Sequence, residues 1–197
     1  MAETDESGAP CGADMPDALT YKTPAPKSLK EIQEMDKDDP SLAKYKQSLL
    51  GDDAEATGEG PDIVLESLAL VVEDEEKVII DLTGDLSQLK DKVHTIKEGI
   101  GYKARLTFVV KNDIVCGLKY QQTPYYKSTV KGETSTYMIG SYPPRKEPHV
   151  FTAAVDELTP KGMLSRGHYT VQSQLKDDDG REFLSWEWAF DLKKDWE

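Results

Sequence analysis

The sequence has little of what secreted, membrane-spanning or nucleic-acid-binding proteins need. Its 197 residues include only two cysteines, Cys11 and Cys116, which argues against a disulfide framework and predicts free thiols in a reducing compartment. No run of about 18 apolar residues occurs, and the first residues form neither a basic nor an apolar segment, so we predict a cytoplasmic protein without a membrane span. Lys and Arg total 24 against 37 Asp and Glu, and the formal net charge of −13 argues against a nucleic-acid partner.

Residues that carry enzymatic or metal chemistry are also sparse. The three histidines, His94, His149 and His168, show neither helical spacing nor companion cysteines, so a metal site has little support. No phosphate-binding loop, nucleophile elbow or dinucleotide fingerprint is present. The acidic run that ends at Gly180 lacks the spaced ligands of a calcium loop and fits a hairpin turn. We therefore predict a protein that is not an enzyme and binds no metal or cofactor.

Short runs with the composition of β-strands fill the chain from about residue 61 onward. Segments that carry Gly, Pro, Asn or Asp separate them, and no long helical period lies between them. This pattern of closely spaced strands predicts an all-β fold, an immunoglobulin-like antiparallel sandwich of about eight or nine strands. At most a short helix is expected, in DLSQLKDK. The runs are IVLESLALVV, KVIIDL, YKARLTFVV, DIVCGLKY, TYMIGSY, HVFTAA, HYTVQSQL and EFLSWEWAFDL.

The last of these runs holds most of the aromatic area near the end of the chain. With the two-residue period of a strand, one face carries Leu184, Trp186, Trp188, Phe190 and Leu192, while the other is largely polar. Such a face either packs against a second sheet or lines a ligand cavity, and the pattern alone leaves both interpretations open.

Residues 1 to 60 have a different character. They contain 14 acidic residues against 6 basic ones and few large apolar side chains, so we predict an arm that is flexible on its own. Two short helices are nevertheless indicated, one by the capping box of Ser28 and Glu31, the other by Asp39 as N-cap before Pro40 and by Gly51 as its end. Helices this short are marginal alone. Either they pack on the sandwich, or they fold as a helical hairpin on binding a partner, which the polar arm favours.

Several longer motifs, in the same order, resemble those of the Rho GDP-dissociation inhibitors. The likeness extends from about Tyr21 to the end of the chain, and motifs of this length are far more specific than any single short pattern. They are KSLKEIQEMDKDDPSLAKYKQSLLG, DLTGDL, KEG, IGSYPPR, PKGMLSRG, DDD and LSWEW.

The resemblance implies a sandwich whose sheets part to shelter the geranylgeranyl chain of a Rho, Rac or Cdc42-type GTPase. The prenyl-binding pocket would include Leu70, Tyr102, Ile114, Leu164, Val171 and Trp188. The GTPase-binding residues would be Asp39, Leu42, Tyr45, Leu49, Leu50, Asp178 and Asp179. Ser28 would be a possible phosphorylation site.

The resemblance also divides the chain and defines its partners. Residues 1–20 would be a disordered acidic leader, residues 21–60 a regulatory arm and residues 61–197 the prenyl-binding sandwich. The protein would be a monomer that forms one-to-one complexes with GDP-bound, prenylated GTPases, blocks GDP release and exchange, and extracts the GTPase with only transient membrane contact. A general lipid-chain carrier without nucleotide control is one alternative, and a structural immunoglobulin-like module is another.

Overall fold

The computed structural model describes residues 31, 34, 39–42, 44 and 62–196. Within residues 62–196 the chain forms eleven strands and one short 3₁₀ helix, and two of the strands have only two residues. The strands are β1 Ile63–Val72, β2 Glu75–Asp81, β3 Val93–Lys97, β4 Gly101–Val110, β5 Val115–Tyr126, β6 Val130–Lys131, β7 Ser135–Tyr142, β8 His149–Thr152, β9 Glu157–Leu158, β10 Gly167–Lys176 and β11 Glu182–Lys193.

The strands form the two sheets of a sandwich, which confirms the predicted all-β class. The first sheet has the order β2-β1-β4-β8, with β9 on the far end of β4. The second has the order β3-β11-β10-β5, and both β6 and β7 pair with β5. Neighbours are antiparallel with one exception, because β3 runs parallel to β11.

Alternation along the strands decides which side chains enter the core. On β4, Ala104, Leu106 and Phe108 are fully buried, while the intervening Arg105 and Thr107 are partly exposed. Successive side chains of a strand point to opposite faces, so the apolar set of each sheet faces the other sheet. Burying a large apolar side chain contributes about 1.5 to 3 kcal/mol, which makes this layer the main source of stability.

The aromatic strand β11 buries the face that its pattern predicts. Trp186, Trp188 and Phe190 are all less than 10% exposed, whereas Glu187 on the opposite face is exposed. The Trp186 ring stacks on Tyr120 of β5, with ring centroids 5.8 Å apart. This strand therefore belongs to the core along most of its length.

Three strands and one boundary differ from the sequence prediction. All eight predicted runs form strands, but β3, β6 and β9 were not predicted. The strand predicted to end at Tyr120 continues through Pro124 to Tyr126, with Pro124 opposite Val171 of β10. The segment DLSQLKDK contains the single turn Leu86–Gln88, capped by Asp85, which accepts the Ser87 N–H at 3.0 Å.

The described part of the arm agrees with the predicted cap at Asp39. Its carboxylate accepts the N–H groups of Ser41 at 2.8 Å and Leu42 at 3.4 Å, and residues 40–42 and 44 are helical. Ser28, Tyr45, Leu49 and Leu50 lie outside the described residues.

In the part of the chain that the structure describes, no helix has the length and hydrophobicity needed to cross a membrane.

Candidate functional site

A cavity of about 1030 Å³ opens between the two sheets, on the side where β4 meets β9. Its size lies at the upper end of the roughly 300 to 1,000 Å³ that is usual for ligand pockets. The gap follows from the strand pairing: β8 pairs with β4 only at Arg105–Phe108, and β9 pairs only with Gly101 and Tyr102. Between these pairings Ala153 still donates its backbone N–H to the Ala104 carbonyl at 2.8 Å, residues 154–156 belong to no strand, and Val155 and Asp156 line the cavity.

The deep wall of the cavity is aromatic and apolar. Val171 of β10 and Trp188 of β11 are register partners, and both are almost fully buried. The indole N–H of Trp188 donates to the hydroxyl of Ser173 at 3.2 Å, which fixes the plane of the ring. Phe190 stacks on Tyr169 with ring centroids 5.0 Å apart. This wall presents rigid hydrocarbon area to a ligand at little cost in side-chain entropy.

A cluster of polar side chains forms another part of the cavity lining. The amide nitrogen of the buried Gln122 lies 3.3 Å from the hydroxyls of Tyr102 and Tyr137 and 3.4 Å from Oε2 of Glu157. An amide has two N–H hydrogens, so these three acceptors share them. The Tyr120 hydroxyl donates to the Gln122 carbonyl at 3.1 Å.

Burial raises the pKa of Tyr102, Tyr120 and Tyr137 far above the ordinary range of tyrosine. The three phenols are therefore neutral at physiological pH and act as hydrogen-bonding groups. Within the described residues, no group of three His, Cys, Asp or Glu side chains is arranged to bind a metal ion.

Five large apolar side chains surround the cavity mouth, and each is between 60% and 90% exposed. We call this set the apolar rim. Single exposed apolar residues are common on proteins, but a group of them around one opening marks an interaction surface. The rim consists of Val130, Val155, Leu158, Met163 and Leu164.

An ion pair fastens the loop that carries part of the rim. Arg166 donates to both carboxylate oxygens of Glu98, at 2.8 and 2.7 Å, and Glu98 also accepts the N–H of Gly162 at 3.2 Å. The Thr159 hydroxyl donates to the Lys97 carbonyl at 2.9 Å. The loop of residues 159–166 is thereby tied to the turn between β3 and β4.

This clamp should respond to acid. The hydrogen bonds from Arg166 lower the pKa of Glu98 to about 2, against an ordinary value of 4.5. A depressed carboxyl pKa stabilises the fold above the unfolded pKa, and that contribution is lost as the pH falls from 4.5 through about 2. We expect Glu98→Gln to have a lower thermal midpoint than the native chain at pH 6. Near pH 2 the difference between the two midpoints should largely disappear.

The control for that variant is Glu75→Gln, whose carboxylate pairs with Lys77 on the exposed edge strand β2. Exposed pairs contribute little, so this change should move the midpoint less. A deficit in Glu98→Gln that is as large at pH 2 as at pH 6 would contradict the ionic role of Glu98.

The structure brings four of the six residues predicted for prenyl binding to the cavity. Tyr102, Val171 and Trp188 line its walls, and Leu164 lies on the rim. Leu70 is buried in β1, and Ile114 is partly buried just before β5. Neither of these two lines the cavity, and their role in prenyl binding stays a prediction.

Four of the residues predicted to contact a GTPase lie in the described part of the chain, and all four are exposed. Asp39 and Leu42 are exposed on the arm. Asp178 and Asp179 are exposed in the turn between β10 and β11, where Asp178 pairs with Lys119 of β5. No ligand or partner fixes their roles, which stay predictions.

Sequence reasoning missed many contributors to the cavity, and Gln122 and Phe190 show two reasons why. Gln122 was not singled out, although it is a polar residue at an inward-facing position two residues after Tyr120. That mismatch with the strand period could have revealed it. Phe190 was assigned to the buried face but not to the cavity, because the pattern does not show where the sheets separate.

A family model described as RHO protein GDP dissociation inhibitor matches residues 11–195. The chain is 46% identical over 181 residues to Rho GDP-dissociation inhibitor 1 of Homo sapiens, covering 91% of this chain and 88% of that protein. It is 40% identical over 197 residues to Rho GDP-dissociation inhibitor 3 of Homo sapiens, covering 98% of this chain and 87% of that one. A Niemann-Pick type C2 protein from the Japanese carpenter ant matches with a TM-score of 0.39 and 8% identity, over 71% of this chain and 98% of that structure, a likeness too weak to support any conclusion.

Proposed function

Because this chain belongs to the Rho GDP-dissociation inhibitor family, we propose that it binds prenylated Rho-family GTPases in their GDP form, blocks GDP release and exchange, and carries them from membranes into the cytoplasm. Members of this family are regulatory inhibitors and not enzymes. The observation that carries the proposal is the cavity walled by Val171 and Trp188 in a chain of this family. A geranylgeranyl chain is the ligand that this apolar space would hold.

Lipid burial by itself would not extract a GTPase. A geranylgeranyl chain has about twenty carbons, and each buried CH₂ contributes about 0.8 kcal/mol. The bilayer interior offers nearly the same hydrocarbon surroundings as the cavity, so transfer between them is close to neutral. Contacts with the GTPase protein must therefore shift the equilibrium towards the complex.

Those contacts would come from the arm and from an acidic part of the sandwich. We assign Asp39 and Leu42 of the arm to the GTPase switch regions, together with Tyr45, Leu49 and Leu50. Asp178 and Asp179 would meet basic residues of the GTPase. Preferential binding of the switch conformation of the GDP form raises the barrier to nucleotide escape by population selection, and no covalent step is needed.

Replacing Asp39 with asparagine tests the arm contact. Asparagine is as good an N-cap as aspartate, so the helix that begins at Pro40 should persist. We expect affinity for a prenylated, GDP-loaded Rho-family GTPase to fall by about 1 to 3 kcal/mol, because a charge-assisted hydrogen bond becomes a neutral one. Titration calorimetry would measure the change.

Asp85→Asn is the matched control, since Asp85 also caps a short helix through a backbone N–H but lies outside the proposed contact. It should leave the affinity unchanged. Equal affinity of native chain and Asp39→Asn would remove Asp39 from the contact.

Dependence on the prenyl group separates this function from its alternatives. Immobilised protein should retain a one-to-one complex with a prenylated GTPase from cytosol and should retain far less of the same GTPase without its prenyl group. A general lipid-chain carrier would instead bind geranylgeranylated cargo of any kind and leave GDP release unaltered. A structural module would bind neither.

A further inference from the structure

The apolar rim extends the cavity outwards to the solvent. Leu158 and Met163 are 78% and 79% exposed, and both belong to the same opening as the buried Trp188. A closed lipid cavity would need no exposed hydrocarbon at its mouth. Side chains in this position are suited to a surface that is itself apolar just below its polar layer.

Backbone conformation and an ion pair fix the loop that carries Met163. Gly162 has a φ of +114°, a conformation that disfavours any residue with a Cβ, and its N–H is held by Glu98. The next residue is Met163. The clamp of Glu98 and Arg166 therefore holds an exposed apolar residue in place with bonds that reach across 68 positions of sequence.

The charges around the cavity mouth favour a zwitterionic surface over an anionic one. Among the residues that line the opening, Lys131 and Lys161 stand against Glu133, Asp156 and Glu157, which is close to balance. The whole chain carries −13. An anionic surface would repel a chain of that charge, and the few lysines at the mouth would not offset the repulsion. A zwitterionic surface imposes no such cost.

We propose that the apolar rim lies on the surface of a zwitterionic lipid bilayer while the prenyl chain passes into the cavity. This inference rests on the proposed function. The rim enters the boundary between headgroups and acyl chains, so the prenyl chain moves from one hydrocarbon environment to another without crossing water. The rim thereby speeds the transfer, whereas the walls around Val171 and Trp188 hold the chain afterwards.

The test compares two assays with the double variant Leu158→Ser, Met163→Ser. In the first, the full chain releases a prenylated, GDP-loaded GTPase from phosphatidylcholine vesicles, and the rate constant is measured. In the second, it takes up geranylgeranyl cysteine from water, followed by tryptophan fluorescence. We expect the release rate to fall about tenfold or more, because two large apolar side chains leave the interface, and the uptake affinity to fall by much less.

Met138→Ser, Val150→Ser is the matched control, since Met138 and Val150 are similarly exposed but lie outside the cavity opening. It should release the GTPase at the native rate. The proposal is overturned if the rim variant releases at the native rate, if the control slows as much, or if the rim variant loses rate and uptake by the same factor. It is also overturned if release is faster from anionic vesicles. A native chain that takes up no geranylgeranyl cysteine would instead refute the proposed function, and this inference with it.

Discussion

Replacing Trp188 with alanine is expected to lower the affinity for geranylgeranyl cysteine by roughly 10- to 100-fold, because the variant loses a large aromatic side chain from the cavity wall. It should also abolish release of a prenylated GTPase from vesicles. A fully packed tryptophan costs about 3 to 5 kcal/mol of folding free energy when cut to alanine. Trp188 is only 2% exposed although it lines the cavity, so we expect a loss within that range.

Trp186→Ala is the control for this experiment. Trp186 lies two residues away on the same face, is equally buried and stacks on Tyr120, but does not line the cavity. Its substitution should destabilise the fold at least as much and weaken lipid uptake much less. Thermal melts of both variants would show how much folded protein enters each assay. If the two variants lose uptake equally at temperatures where both are folded, Trp188 has no special place in the lipid site.

Deleting residues 1–58 is expected to separate the two halves of the function. The cavity and both sheets lie within residues 62–196, so the truncated chain should still take up geranylgeranyl cysteine with an affinity close to that of the full chain. Without the proposed switch contacts it should no longer slow the release of GDP. It should also extract the GTPase poorly, because lipid transfer alone is close to neutral.

The control is deletion of residues 1–20, which removes only the acidic leader and should preserve inhibition. Fluorescent GDP release and vesicle sedimentation measure the two activities on the same preparations. A chain lacking residues 1–58 that slows GDP release as well as the full protein does would place the inhibitory contacts in the sandwich and refute this division of labour.

Local patterns predicted most of the fold because a sandwich strand is encoded by its own residues. The alternation on β4 and β11 specified both the strands and their buried faces. β3 was missed because only Val93 and Ile96 are strongly apolar in it, and Ala189 of β11, which pairs with Val93, lies 189 − 93 = 96 positions further along the chain. β9 was missed because two residues are too few to show a period.

The site was less predictable, for a reason that Trp186 and Trp188 illustrate. A two-residue period places them on one face, and nothing in that pattern says that the sheets are in contact at the first and apart at the second. The pairing of Glu98 with Arg166 is equally hidden, because no local rule links residues 68 positions apart. The motifs of the family resemblance supplied Tyr102, Leu164, Val171 and Trp188, which pattern analysis could not have selected.

The parallel pairing of β3 with β11 has a consequence for solubility. A strand as rich in aromatic residues as β11 would, at a free sheet edge, be a template for pairing with other chains and a starting point for aggregation. The five residues of β3 pair with Ala189 to Lys193, and the last of them is Lys97, which forms an ion pair with Asp195. Over these five residues the edge of the sheet is β3 and not β11, whereas β3 pairs with no residue from Glu182 to Trp188. The end of β11 that carries Phe190 and Leu192 is therefore withdrawn from pairing with another chain.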